Sequence, residues 1–466
     1  MVKNNYQRLA GDTVVFAVGN MLTKLMQFFL LPMYTALLTT EQYGIGELVN
    51  NMSELLYPVA CLGIYEGMFR FSIDRDLDKR QVFTSGTMLV VMLLPVICAV
   101  SIAVYAFTGF DYTGHLTVLC LLMAFRSMCM QFAKGMGYTR LYAISGVIGT
   151  VSLCVSGYVL LGWLRMGTNG YLVALMISQI VQLVCVCVGA SVWKYLSHDG
   201  ATKDMCLRLL KYSLPLVPNA LAWWSVNLSA RYIVLFVQGA SEAGLYTAAS
   251  KLPAIMNMFV MIFQQAWQIF SAREHGEEDE ARSFSIVFRV FSSLLLCSGA
   301  VVVALTLPLS SFMLKGDFLE SSTLVPSLMF GAVISGYSAY FGTIYNAAMQ
   351  NSMVFISTLV GALVSIAVGI VLVGVIGVWG PIAGVVLGYG ATGVMRWWGS
   401  RTIVPVEVDV MYNAAGLIAI FVEVIVLTLA VPHSIILAFC IAAALIAFSL
   451  VRYRAVFAAA LKKLRG

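Results

Sequence analysis

Long apolar runs recur from one end of the chain to the other, separated by short polar or charged connections. A run of about 20 apolar residues crosses the roughly 30 Å hydrocarbon core of a bilayer as a helix. On that criterion the pattern predicts about fourteen transmembrane helices, at 11–36, 43–68, 83–107, 115–136, 142–164, 170–193, 213–237, 243–270, 284–308, 322–346, 352–376, 380–398, 412–431 and 433–451. Prolines and glycines fall mostly inside these runs, where neighbouring helices shelter the backbone groups they free. The first run is long, carries Lys24 and lacks a small-residue cleavage site, so it is expected to be a retained helix and not a leader.

The same pattern repeats itself. Val18-Gly19-Asn20 opens a helix that ends at Thr40-Glu41-Gln42-Tyr43-Gly44, and about 200 residues later Val217-Pro218-Asn219 opens one that ends at Ser241-Glu242-Ala243-Gly244. Six helices per half is an even number, so both halves run in the same orientation. The expected fold is an all-α polytopic membrane protein with two pseudo-symmetric six-helix lobes around a central cavity. The lobes are 1–200 and 201–400, and 401–466 adds two further helices and a tail. The connections are too short to hold a soluble domain. The amphipathic stretch 203–212 reads as a linker lying on the inner membrane surface.

Composition sharpens this picture. Of the 466 residues 60% are hydrophobic and 11% charged, against about a quarter charged in an ordinary soluble domain. The net charge of +6 suggests nucleic acid only until its distribution is drawn out. With the N-terminus inside, the inner connections and tails hold nearly all of the loop Lys and Arg, and the outer ones hold only Arg165 and Lys315. The positive-inside rule then places both termini in the cytoplasm of a cell membrane. The ten cysteines show no metal-ligand spacing and face no oxidising compartment, so they read as structural or lipid-facing thiols. No phosphate-binding glycine loop, nucleophile elbow or carboxylate pair is present, which argues against an enzyme and against any bound cofactor or metal.

Ionisable groups at membrane depth are costly and therefore candidates for function. Lys24, Arg126, Arg231 and Lys251 remain after the loop cations are set aside. Asn20, Lys24 and Gln27 share one face of the first helix, and Glu47, Asn51 and Glu54 one face of the second. Asn219, Trp223, Asn227 and Arg231 follow one side of the seventh, and Lys251, Met258, Gln265 and Gln268 one side of the eighth. Four polar stripes on corresponding helices describe a hydrated, net-cationic cleft suited to an anionic head group. Other readings stay open: Lys24 neutralised by Glu54 in a structural pair, Arg231 snorkelling outward, and Arg126 as a structural partner of a carboxylate. Pro253 predicts a kink beside Lys251. Glu423 is a lone acid in the appended helix pair.

These residues resemble a specific family. The first-helix entry 9–32, the turn Thr40-Glu41-Gln42-Tyr43-Gly44 and the stretch from Gly244 to Pro253 are similar to the Wzx-type polysaccharide or O-antigen flippases. So are Gln265-Ala266-Trp267-Gln268, Val325-Pro326-Ser327-Leu328 and Gly342-Thr343-Ile344-Tyr345. Their superfamily also holds multidrug-and-toxin-extrusion transporters and the lipid II flippase. The resemblance implies an undecaprenyl-pyrophosphate-linked oligosaccharide carried from the inner to the outer leaflet by alternating access. It also implies a cationic cavity to which Lys24, Arg231 and Lys251 contribute, with membrane lipids and other polysaccharide-assembly proteins as partners. The driving force is left open between sodium, protons and membrane potential. The absence of an arginine cluster on the first two helices departs from the lipid II flippase pattern. The competing readings are a drug/cation antiporter, for which Asp12 lies too near the inner end, and a membrane glycosyltransferase or polymerase, which needs a catalytic loop.

Overall fold

The computed structural model describes the backbone of residues 28–74, 76–197, 200–274, 280–348 and 350–454, with Thr23 and Met26. Side chains are described at these positions except 219–220, 222–228, 265–266, 268–274 and 351. Among the described residues every regular element is a helix. The chain divides into two compact units, Met1–Ser225 and Val226–Gly466.

The first unit holds α1 (Leu31–Leu37), α2 (Thr40–Ala60), α3 (Ile64–Ile73), α4 (Lys79–Thr108), α5 (Thr113–Gly135) and α6 (Thr139–Gly157), extended by a π-helical turn Tyr158–Trp163. It continues through α7 (Gly167–Gly189), α8 (Lys203–Ser213) and the start of α9 (Leu216–Gln238). The second unit holds the rest of α9, then α10 (Ala240–Lys251), α11 (Ala254–Glu274), α12 (Glu280–Ala304), α13 (Thr306–Met313) and a 3-10 segment Gly316–Thr323. It ends with α14 (Val325–Ala347), α15 (Asn351–Ile376), α16 (Trp379–Ser400), α17 (Val410–Thr428) and α18 (Ser434–Arg452).

The chain is a polytopic helical membrane protein. Eight helical stretches among the described residues are long and apolar enough to cross a bilayer, and two bent pairs bring the number to ten. Of the remaining expected spans, 11–36 lies largely outside the described residues and 43–68 is divided between two helices. α2 carries Glu41, Gln42, Glu47, Asn50, Asn51 and Glu54 within one helix, a load tolerated where protein and not lipid surrounds the side chains.

Local chemistry explains where the helices start and break. Thr39 Oγ1 accepts from the Gln42 backbone N–H at 3.2 Å and Gln42 Oε1 accepts from the Thr39 N–H at 3.2 Å. This reciprocal cap fixes the start of α2. The single helix expected over 43–68 is in fact two. Pro58 removes a backbone donor, and Leu62 and Gly63 both adopt left-handed φ, at 48° and 65°. The Gly63 N–H then returns to the Pro58 carbonyl at 2.7 Å, closing the end of α2. The kink expected at Pro253 is present: α10 and α11 meet at 43°.

α8 is amphipathic. Met205 and Leu209 are buried in the first unit's core with Met68, Phe83 and Phe132, while Lys203, Arg208 and Lys211 stay exposed. The core of the second unit is aromatic, with Phe263 stacked on Phe291 at 4.0 Å and the Trp267 indole N–H donating to Thr343 Oγ1 at 2.8 Å. α17 and α18 pack on α12.

α15 and α16 form the closest helix pair in the second unit. Gly377, at φ 62°, turns the chain between them. Gly361, Ser365 and Gly369, each four residues from the next, then face Gly384 and Gly388, while Gly380 lies against the Leu372–Val373 backbone. A Cβ on Gly388 would lie 2.6 Å from the Gly361 carbonyl oxygen. Small residues at this spacing let membrane helices meet backbone to backbone.

Candidate functional site

Each unit carries its own polar cluster. In the first, Arg126 sits on α5 among α2, α6 and α7. Its Nη1 donates to Gln182 Oε1 at 2.9 Å, Gln182 Nε2 donates to Ser178 Oγ at 3.2 Å, and Ser178 Oγ donates to the Gly149 carbonyl at 2.8 Å. The relay ends on a backbone carbonyl, so it orients the guanidinium without neutralising it. Glu54, Tyr57 and Tyr142 lie within electrostatic reach of Arg126. The stripe expected on α2 divides: Glu47 and Asn51 are buried, whereas Glu54 is exposed. Asn20, Lys24 and Gln27 lie outside the described residues.

In the second unit, Arg231 on α9 is half-buried and its Nη2 donates to Ser250 Oγ on α10 at 3.0 Å. Ser250 in turn donates to the Thr247 carbonyl at 2.8 Å. The guanidinium therefore reaches across to the residue preceding Lys251. Lys251, also half-buried, closes the last turn of α10 directly before the 43° break. A cation at a helix C-terminus interacts favourably with the exposed carbonyls there. Counted from the α9–α10 turn at Gly239, Arg231 lies roughly 12 Å and Lys251 roughly 18 Å along their helices. The backbones of Asn219 and Asn227 belong to α9 and those of Gln265 and Gln268 to α11, but their side chains lie outside the described residues.

A further buried cation, Arg396, counts in the sequence as one of the inner-side basic residues. On α16 it is 8% exposed and donates from Nε to Ser357 Oγ at 2.9 Å and from Nη1 to the Ser338 carbonyl at 2.9 Å. Its Nη2 donates to Thr358 Oγ1 at 2.8 Å and the Val354 carbonyl at 3.3 Å. With neutral acceptors on α14 and α15, it ties three helices together. Glu423 on α17 is fully buried, and neither carboxyl oxygen has a hydrogen-bond partner among the described residues.

Outside the spans, Asp409 caps α17 and pairs with Arg452 at 2.8 Å. Burial alone would raise its carboxyl; the Tyr412 N–H and the Arg452 guanidinium outweigh that and hold it below the usual carboxylate range.

The model of a family described as polysaccharide biosynthesis protein matches residues 9–268, which is more than half of the chain. The chain belongs to this polysaccharide biosynthesis family. The family's matched region takes in Glu47, Arg126, Arg231 and Lys251. The fold of this family member is similar to that of the lipid II flippase MurJ in an inward closed conformation, with a TM-score of 0.70 and 11% identity, covering 95% of this chain and 100% of that one. It is also similar to an inward-facing multidrug resistance MATE family transporter of the MOP superfamily, with a TM-score of 0.65 and 13% identity over 86% of this chain and 98% of that one. A MOP superfamily transporter from Pyrococcus furiosus Vc1 gives a TM-score of 0.57 and 13% identity, over 86% and 94%. At these identities the likeness shows the fold alone. No curated protein sequence matches the chain.

Proposed function

We propose that the protein is a flippase that moves an undecaprenyl-pyrophosphate-linked oligosaccharide from the inner to the outer leaflet of the cell membrane by alternating access. It is a transporter in this reading and not an enzyme, both termini are cytoplasmic, and it serves cell-surface polysaccharide assembly beside other assembly proteins. The observation that carries the reading is the family match, on a chain whose membrane-depth cations stand at graded positions. A pyrophosphate needs charge-assisted partners through the low-dielectric region, since an unpaired anion there is prohibitively desolvated. Arg231 and Lys251 supply such partners in the second unit, and Lys24 is proposed to do so in the first.

The test is a charge series in cells lacking the native flippase. Lys24→Ala is expected to abolish surface polysaccharide with normal membrane levels, and Lys24→Arg to retain part of it, because Arg keeps the charge but not the shape. Arg231→Ala and Lys251→Ala are expected to slow export less severely. If Lys24 instead serves only to neutralise Glu54, the Lys24→Ala/Glu54→Ala double variant will recover both stability and export, and the cargo role of Lys24 fails.

A further inference from the structure

One buried cluster in the first unit joins a carboxyl to three phenols. Glu47 of α2 is 4% exposed and stands roughly 10 Å along the helix from the α1–α2 turn. Its Oε1 accepts from the Tyr171 hydroxyl on α7 at 2.9 Å and from the Tyr43 hydroxyl at 3.2 Å. Both phenols donate to the same oxygen. A third phenol, Tyr34 of α1, closes the group, its ring centroid 5.0 Å from that of Tyr171 and 6.0 Å from that of Tyr43. The Tyr34 hydroxyl is buried and has no hydrogen-bond partner among the described residues. Gly46 permits the approach of α7, since a Cβ there would meet the Tyr171 ring at 2.6 Å.

Among the described residues, the following titratable groups make up the cluster or act on Tyr34 and Tyr171. α1 contributes Tyr34, α2 Tyr43 and Glu47, α7 Tyr171, and α6 the Cys154 thiol within electrostatic reach of Tyr34. None of the groups acting on Tyr34 and Tyr171 comes from α4 or α5, which also pack on α2.

We propose that Glu47 is a proton-binding carboxyl that couples a transmembrane proton gradient to transport, an inference that rests on the transporter reading above. An ionised carboxylate only accepts hydrogen bonds, whereas the protonated acid also donates one. Arrival of a proton therefore turns one carboxyl oxygen into a donor, and Tyr34, whose hydroxyl has no hydrogen-bond partner among the described residues, is placed beside the cluster to accept from it. The proton comes from water on one face and leaves to water on the other. Only the O–H bond at Glu47 forms and breaks, and no electrons are transferred. Three helices, α1, α2 and α7, meet at this group, so its protonation bears directly on their packing. A metal cation fits poorly, because two phenol hydrogens already point at the carboxylate. A purely structural knot requires an acceptor but no proton.

Glu47→Gln separates these accounts, since the amide keeps an oxygen for both phenols but cannot titrate. The full chain, purified in detergent, is melted across pH 5 to 9 without substrate. The wild type is expected to show a pH-dependent midpoint, Glu47→Gln to lose that dependence, and Tyr171→Phe to move its inflection upward by about one pH unit, because a donor to the charged form is gone. In cells, Glu47→Gln is expected to cut surface polysaccharide several-fold at normal protein level. A wild-type pH dependence retained by Glu47→Gln in detergent would overturn the proton site, as would export that follows sodium and not pH. If the detergent result holds while the wild type itself restores no surface polysaccharide, the proton site stands and the flippase reading falls.

Discussion

Arg396 shows how a charge is accommodated where no counter-charge is at hand. Four of its five N–H donors reach neutral oxygens on α14 and α15, so the guanidinium fork acts as a fixed clamp. Arg396→Met is expected to destabilise the protein by about 2–4 kcal/mol, since it strands buried acceptors as well as removing the bonds. Arg396→Lys should fall between, because a lysine has three donors and no planar fork; thermal unfolding in detergent reads both. The sequence shows the charge but not its burial, because an arginine near a helix end reads as a topology signal. The tyrosines around Glu47 were invisible for a related reason: phenols at membrane depth read as core or interfacial side chains. The Arg126 relay joins residues on α5, α6 and α7, a juxtaposition that no single-helix periodicity contains. The bond from Arg231 to the neighbour of Lys251 joins two helices and leaves no mark in the pattern of either one.

Among the elements, the hairpin of α15 and α16 is the most demanding of its sequence. Gly388→Ala places a methyl group against the Gly361 carbonyl, and overpacking of this kind is expected to cost roughly 1–3 kcal/mol, with Gly388→Leu costing more. A lowered thermal midpoint that rises again on no single compensating change at Gly361 would be the signature, because the obstructing atom is backbone. Hydrophobic periodicity located the helices well, since bilayer thickness fixes their length. It did not find the break at Leu62–Gly63, where two left-handed residues follow Pro58, because an apolar run reads the same whether continuous or broken. The break at Pro253 was legible because proline has one physical meaning inside a helix. The π-helical turn at Tyr158–Trp163 leaves no compositional mark at all.

For the whole molecule, the distribution of Lys and Arg predicts both termini inside. Reporter fusions at Gly316 and after Gly466 are expected to read external and cytoplasmic respectively, and the reverse pattern would overturn the orientation and the direction of transport with it. The two-unit division is a property of the contacts and falls after Ser225, within α9. The docking of α17 and α18 on the second unit has a consequence for how the protein is made. Tyr337 on α14 donates to Asn413 at 2.8 Å, and Ser293 on α12 meets Tyr412 at 3.0 Å, across 76 and 119 residues of chain. During synthesis both α12 and α14 therefore enter the lipid before their partners exist, carrying hydroxyls that no other group in these pairs yet satisfies. The nascent second unit is thus an incomplete body until α17 emerges from the ribosome.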